Sequence, residues 1–172
     1  MPYHGLREQG ERNDDAPVIS KDALKEELVR RVVADLAALE DAQRTTREGA
    51  THEEAKPEND KDTRAVELSY LARGQAVRVD EARAAAEAVR AMSIAPCARV
   101  AVGAVVETEE ESGEKAVFLA PGGGGTVLAD GTIHVITPKS PLGKALLGKS
   151  AGDVVEAVIG GRTRELAVVR VR

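Results

Sequence analysis

The sequence predicts an α+β protein in which an N-terminal antiparallel helical hairpin (a coiled coil) precedes an antiparallel β domain with one short helix. Two long segments repeat apolar residues every three or four positions, which is the spacing of one helix face. A polar, acidic segment, residues 47–64, separates them. After Pro96 the apolar residues alternate as they do in strands, between charged or glycine-rich loops.

The composition limits the classes of function. The 172 residues carry a net charge of -5, and the aromatic residues are only Tyr3, Tyr70 and Phe118. Direct binding of single-stranded nucleic acid is not expected, because it relies on aromatic stacking and positive charge. Cys97 is the single cysteine and is expected to pack as a small buried hydrophobic residue. No apolar run reaches the roughly 18 residues of a membrane-spanning helix, so we expect a cytoplasmic protein.

Residues 1–19 lack periodicity and are predicted to be a disordered tail. The first helix is predicted to begin after the N-cap residue Ser20 and to fade over residues 45–49, where two β-branched residues and a glycine weaken it. Its apolar face consists of Leu24, Leu28, Val32, Leu36 and Leu39.

Pro57 prevents one continuous helix, so a second helix is predicted to begin near Asp62 or Thr63. With helices of about 27 to 31 residues the hairpin, residues 20–92, is about 40 Å long and holds the acidic segment at its tip. An ordinary coiled-coil spacer or dimerisation element remains the alternative. The predicted face of the second helix consists of Leu68, Leu71, Gln75, Val79, Ala82, Ala86 and Val89.

Residues 96–172 are predicted to form the β domain. Its short helix spans residues 141–147, with Ser140 as N-cap, Pro141 at the first helical position and Gly148 at the end. The segments 109–114 and 121–126 are predicted to be loops, the second a flexible glycine-rich hairpin connection. The predicted strands are 99–108, 115–120, 132–136, 154–159 and 164–171.

Two apparent motifs are rejected on context. Residues 143–150, GKALLGKS, match the phosphate-loop pattern, but that loop follows a buried strand and opens a helix, whereas here helix-forming residues lead into a strand. Residues 52–56, HEEAK, begin like a zinc-protease helix, but the second histidine of the H-E-x-x-H motif is missing.

The C-terminal segment carries the most specific signal. Residues 136–149 read ITPKSPLGKALLGK, and AGDVV follows at 151–155 before a closing strand. This order resembles the C-terminal domain of the bacterial GreA/GreB transcript-cleavage factors over residues 98–172. The resemblance implies an FKBP-like domain that binds RNA polymerase at the mouth of its secondary channel. It also implies that Ser140, Pro141 and Lys144 belong to the polymerase-contacting segment.

In the same family the hairpin tip carries an Asp-x-x-Glu-Asn-Ala-Glu-Tyr motif that enters the channel. The resemblance implies that Glu54 and Glu58 hold Mg²⁺ jointly with the polymerase, with Asp60 and Asp62 as further carboxylates. It therefore implies a monomeric factor that is not itself an enzyme, has no cofactor of its own and contacts nascent RNA only indirectly. This sequence departs from the motif, because alignment on Glu58 puts Ala55 where the family has its aspartate.

Three other functions are distinguishable. A regulator of the same fold would occupy the channel and compete with cleavage factors, or modulate initiation, without supporting cleavage. A peptidyl-prolyl isomerase would need a pocket lined by aromatic residues, which Phe118 alone does not provide. A coiled-coil adaptor would form stable dimers and would not bind polymerase.

Overall fold

The computed structural model describes residues 20–53 and 63–172. Two long helices, α1 (Lys21–Glu53) and α2 (Thr63–Ala91), precede six strands and one short helix, α3 (Pro141–Leu146). The predicted class, a helical pair followed by a β domain, is confirmed. The predicted tail, residues 1–19, lies outside the described residues. No described helix is long and apolar enough to cross a membrane. The strands are β1 (Val105–Glu110), β2 (Gly113–Leu119), β3 (Val127–Leu128), β4 (Ile133–Ile136), β5 (Val154–Ile159) and β6 (Arg162–Val171).

Helix α1 begins as predicted but does not fade over residues 45–49. The Ser20 Oγ accepts a hydrogen bond from the Ala23 N–H at 3.3 Å, which is an N-cap contact. The helix continues to Glu53, so the predicted end is wrong. The hydroxyls of Thr45 and Thr46 donate to the carbonyls four residues earlier, at 3.1 and 2.9 Å, and this accommodates the two β-branched side chains.

Helices α1 and α2 pack antiparallel along their length. The Lys25 Nζ donates to the Met92 carbonyl at 2.7 Å near the base, and Arg83 forms an ion pair with Glu40 at 2.7 Å further out. Leu71, predicted to face α1, is 54% exposed, so that assignment is wrong. Both Leu71 and Ala72 are three or four residues from Gln75, so either could lie on the face that packs on α1. The partly buried residue is Ala72.

The six strands form one sheet in the order β3-β4-β2-β1-β6-β5. The sheet is mixed and not wholly antiparallel as predicted, because β2 and β4 pair in parallel, with Phe118 opposite Val135. The chain crosses from the end of β2 through residues 120–126 and β3, and then runs beside β2 in the same direction. Strand β3 was not predicted, since its two residues carry no periodic signal.

The boundaries of β1 and β2 also differ from the prediction. β1 begins at Val105 and not at residue 99, because residues 101–104 form a turn closed by a 3.0 Å hydrogen bond from the Ala104 N–H to the Ala101 carbonyl. Residues 109–114 are not a loop. β1 extends to Glu110 and β2 starts at Gly113, where a φ of 112° suits glycine.

The sheet has a hydrophobic core on each face. On one face, Leu24, Leu28 and Val89 of the hairpin pack against Val105, Phe118, Ile133 and Val135. On the other, Leu146 of α3 packs with Val106, Val117, Val155 and Leu166. The alternation of Val105 and Val106 between the two cores follows from the strand period of two.

The glycine-rich segment is not a simple hairpin connection as predicted. A Cβ added at Gly122 would lie 2.8 Å from the Ala85 Cβ, and one at Gly123 would lie 2.7 Å from the Leu28 Cδ1. Gly123 also has a φ of +73°. The segment therefore packs closely against the base of the hairpin.

Candidate functional site

Ser140 and Pro141 start α3 at a fixed position on the β domain. Ser140 is the N-cap of this helix, and its Oγ accepts a hydrogen bond from the Gly143 N–H at 3.0 Å. The same hydroxyl donates to the Thr137 carbonyl at 2.8 Å. Pro141 occupies the first helical turn, where a backbone N–H would have no partner within the helix, so proline costs no hydrogen bond there. The predicted cap and first-turn proline are confirmed, and they hold this segment in one conformation.

Gly143 brings α3 into direct contact with the preceding turn. It is buried, and a Cβ at this position would overlap the Thr137 carbonyl oxygen. Leu146 is fully buried on the same side of the helix. The helix therefore presents its opposite side to solvent, and Gly148, with a φ of 79°, ends it as predicted.

The exposed side of this segment consists of Lys139, Pro141, Lys144 and Leu147, which we call the α3 surface. Of the residues predicted to contact a partner, Pro141 and Lys144 are exposed, and Ser140 is partly buried beneath them. Leu147 was missed by sequence reasoning and is 47% exposed. Leu147 follows Lys144 by three residues, which places both on the same side of a helix. This spacing was the available signal, but an apolar residue in a short helix is more often buried. The α3 surface combines two cations with two apolar side chains, which suits a partner with an acidic and apolar surface.

The predicted tip carboxylates, Glu54, Glu58, Asp60 and Asp62, lie outside the described residues. The described helices flank this segment, with α1 ending at Glu53 and α2 beginning at Thr63. Towards the tip the helices are still joined, because the Gln75 Nε2 donates to the Thr46 Oγ1 at 3.2 Å. In the described part of the chain no group of three or more histidine, cysteine or acidic residues could hold a metal ion.

The base of the hairpin is attached to the β domain by a carboxylate. The Glu27 Oε2 accepts a hydrogen bond from the Ala129 N–H at 3.1 Å, and Glu27 also pairs with Arg31 at 2.7 Å. The Ala129 N–H contributes most to holding the pKa of Glu27 below its ordinary value, and the hydrogen bond from Arg31 adds to it. Residues Ala129 and Asp130 have φ values of 51° and 52°, so this carboxylate caps a tight turn.

Two lysines of α1 bind the backbone that follows α2. The Lys25 Nζ donates to the Met92 carbonyl at 2.7 Å, and the Lys21 Nζ donates to the Ala95 carbonyl at 2.8 Å. These carbonyls follow the last turn of α2, where cations are favourable. The shared core and the hydrogen bond between Glu27 and Ala129 fix the direction of the hairpin relative to the domain that carries the α3 surface.

Neither Phe118 nor Cys97 contributes to an open site. Phe118 is fully buried in the core beneath the hairpin, so it does not line an aromatic pocket of the kind an isomerase needs. Cys97 is partly buried beside the second core, and its Sγ lies 3.7 Å from the Arg172 carbonyl oxygen.

Comparison with known proteins identifies relatives of the β domain. Residues 95–172 match the family model described as transcription elongation factor, GreA/GreB, C-terminal. The transcription elongation factor GreA of Methylococcus capsulatus is 32% identical over 100 residues, which are 58% of this chain and 61% of that protein. The chain thus matches less than two thirds of the length of this relative.

Two solved structures are similar to this chain at lower sequence identity. The GreA factor homolog 1 (Gfh1) of Thermus thermophilus is 20% identical, with a TM-score of 0.38, over 84% of this chain and 94% of that one. A GreA/GreB elongation factor from Nitrosomonas europaea is 29% identical, with a TM-score of 0.34, over 45% and 63% of the two chains.

Proposed function

From the match of residues 95–172 to the GreA/GreB family model we propose that the chain is a transcription elongation factor of this family and that it binds RNA polymerase at the secondary channel. In this proposal the β domain docks at the channel mouth and the hairpin enters, so that its acidic tip stimulates cleavage of backtracked RNA. The catalytic centre belongs to the polymerase, and the chain acts in the cytoplasm as a monomer without enzymatic activity of its own. The family match over the whole β domain is the observation that carries the proposal.

The α3 surface is the proposed docking element. Ser140 and Gly143 hold the turn through the Thr137 carbonyl, so that the backbone carrying Pro141 and Lys144 needs no further ordering on binding. Lys144 supplies charge to an acidic partner surface, and Leu147 supplies an apolar contact at the rim. A helix of about 33 residues spans about 50 Å, which gives the hairpin the reach to enter a channel.

The proposed role of the tip is to supply carboxylate oxygens. Mg²⁺ prefers oxygen ligands, and Glu54 and Glu58 are donors of the right chemistry to hold such an ion jointly with the polymerase. The ion would supply charge neutralisation and a bound water for phosphodiester hydrolysis. Glu54 and Glu58 then act as shared ligands, and Asp60 and Asp62 add negative charge that favours binding of the cation.

A second function is favoured by one departure in the tip. Ala55 stands where the family motif has an aspartate, and a methyl group does not bind a cation. A chain with this tip would still dock and occupy the channel, because docking depends on the α3 surface. It would then compete with cleavage factors, or modulate initiation, without promoting cleavage.

Transcript cleavage in a backtracked elongation complex of the cognate polymerase distinguishes these functions. We expect the chain to accelerate cleavage and the double variant Glu54→Ala/Glu58→Ala to lose that effect while still competing with an authentic Gre factor. Inhibition of an authentic Gre factor without cleavage would assign the chain to the second function. If neither effect occurs, the proposed function is wrong.

A further inference from the structure

The strand β5 forms an open edge of the sheet. Among the described residues it pairs only with β6, and no backbone hydrogen bond outside that ladder involves residues 154–159. The Val168 N–H donates to the Asp153 carbonyl, and its own carbonyl accepts from the Gly152 N–H, both at 2.8 Å. Hydrogen-bonded and non-hydrogen-bonded pairs alternate along antiparallel strands, so Val155, Ala157 and Ile159 are the residues whose backbone groups bond to β6. The N–H and C=O groups of Val154, Glu156 and Val158 therefore point to the open edge.

The side chains of the same three residues are also unpartnered. Val154 and Val158 are 56% and 54% exposed, and Glu156 lies exposed between them. They share the sheet face on which the hairpin packs, but the hairpin covers the far part of that face, at β1, β2 and β4. β5 therefore presents an apolar–acidic–apolar row next to free backbone groups.

Two carboxylates face each other across β5 and β6 on this face. Glu156 lies directly opposite Glu165 on β6, and Glu109 of β1 lies on the same face beyond Ala167. None of the three carboxylates forms an ion pair within the described part of the chain. Like charges directly opposite each other destabilise a strand pair, so this arrangement is relieved by an added cation.

Natural edge strands are commonly protected by proline, lysine, a bulge or an inward charge. β5 has the sequence VVEAVI, with Glu156 as its single charge and no proline or lysine, and its six residues pair with β6 in unbroken register. We propose that β5 binds an extended segment of a partner protein, which adds a seventh strand to the sheet. The segment would place lysine or arginine beside Glu156 and apolar residues beside Val154 and Val158.

A second copy of this chain, pairing antiparallel at the same edge, does not supply the cation. Antiparallel pairing of two β5 strands keeps side chains of one face together, so Glu156 would meet Glu156, Val154 or Val158 and never a cation. The proposed surface also lies on the opposite face of the sheet from α3, which packs with Val155 and Leu166. The β5 row and the α3 surface therefore share no residue.

Two heptapeptides with blocked ends test the proposal on the full chain. One alternates threonine with valine, arginine and valine (TVTRTVT), and the other has glutamate in place of arginine. We expect the arginine peptide to slow hydrogen exchange at the amides of Val154, Glu156 and Val158 by about tenfold, and the glutamate peptide to have little effect. Equal effects of the two peptides, or no slowing by either, would overturn the proposal.

Charge reversal at the edge provides the second arm. Glu156→Lys should weaken binding of the arginine peptide by about tenfold and make the glutamate peptide the better ligand. The matched control is Glu81→Lys, an exposed glutamate on α2 that carries the same charge change away from the sheet. Equal weakening by both variants would overturn the proposal. The proposal would also be overturned if, without any peptide, exchange at these amides became slower as the protein concentration was raised. That result would assign the edge to a second copy.

Discussion

The carboxylate of Glu27 on α1 accepts a hydrogen bond from the backbone N–H of Ala129, 102 residues later in the chain, at 3.1 Å. This contact joins the base of the hairpin to the turn between β3 and β4. Replacing Glu27 by glutamine should lower the free energy of unfolding by about 1 kcal/mol at pH 7, because a charge-assisted hydrogen bond becomes a neutral one. Urea unfolding of the variant and the parent protein measures this difference.

The same contact predicts a dependence on pH. The folded structure lowers the pKa of Glu27 from its ordinary value of 4.5, so the stabilisation is fully present above that value and is lost as the pH falls through the lowered pKa. The difference between Glu27→Gln and the parent should therefore shrink on acidification below pH 4.5. Glu26→Gln, at the adjacent exposed position, is the control. If the difference in unfolding free energy stayed constant down to about pH 2, roughly two units below the ordinary pKa, the Glu27 carboxylate would not be the group responsible.

Leu28 joins the two parts of the molecule through the core, because it is fully buried and contacts Gly123. Leu28→Ala should cost about 2–5 kcal/mol of unfolding free energy through lost burial and a cavity. Leu71→Ala removes the same atoms from a side chain that is 54% exposed, and it should cost less than about 0.5 kcal/mol. Similar losses in thermal or urea unfolding would mean that the hairpin base is not packed as described.

Gly74 lies exposed inside α2, and a Cβ there would meet nothing within 4 Å. Gly74→Ala should therefore raise the stability by about 0.5–1 kcal/mol, since alanine loses less backbone entropy than glycine on forming a helix. Circular dichroism during thermal unfolding measures the shift. A lower melting temperature would indicate that α2 is not a regular helix at this position.

Gly143→Ala should have the opposite effect. A Cβ at Gly143 would overlap the Thr137 carbonyl oxygen, a backbone atom that moves only with its turn. We expect a loss of about 1–3 kcal/mol and displacement of the turn before α3. NMR shifts at Ser140 and Lys144, compared with those in Gly74→Ala, report the displacement. Unchanged shifts and stability would contradict the packing of α3 described above.

The sequence predicted elements whose signal is local. The apolar face of α1, the cap at Ser140, the glycine after α3 and the bounds of β5 all follow from spacing or from one residue's backbone preference. The features that were missed depend on contacts between distant segments. The parallel pairing of β2 with β4, the packing of the glycine-rich segment on Leu28 and the orientation of Leu71 are set by tertiary packing.

The candidate site divides in the same way. Ser140, Pro141 and Lys144 were identified through a sequence pattern, and the structure adds why they are held, through the Thr137 carbonyl and buried Gly143. Leu147 was missed because only packing decides which side of α3 is exposed. The tip residues Glu54, Glu58, Asp60 and Asp62 stay a prediction.

Binding to the cognate RNA polymerase tests the central proposal most directly, because both cleavage and competition require it. The α3 surface predicts that Lys144→Glu weakens binding by about fivefold to tenfold. Arg162→Glu makes the same charge change at the exposed first residue of β6, and it should leave the affinity within about twofold. Equal affinity of Lys144→Glu and the parent protein, or no binding by the parent, would contradict docking through α3.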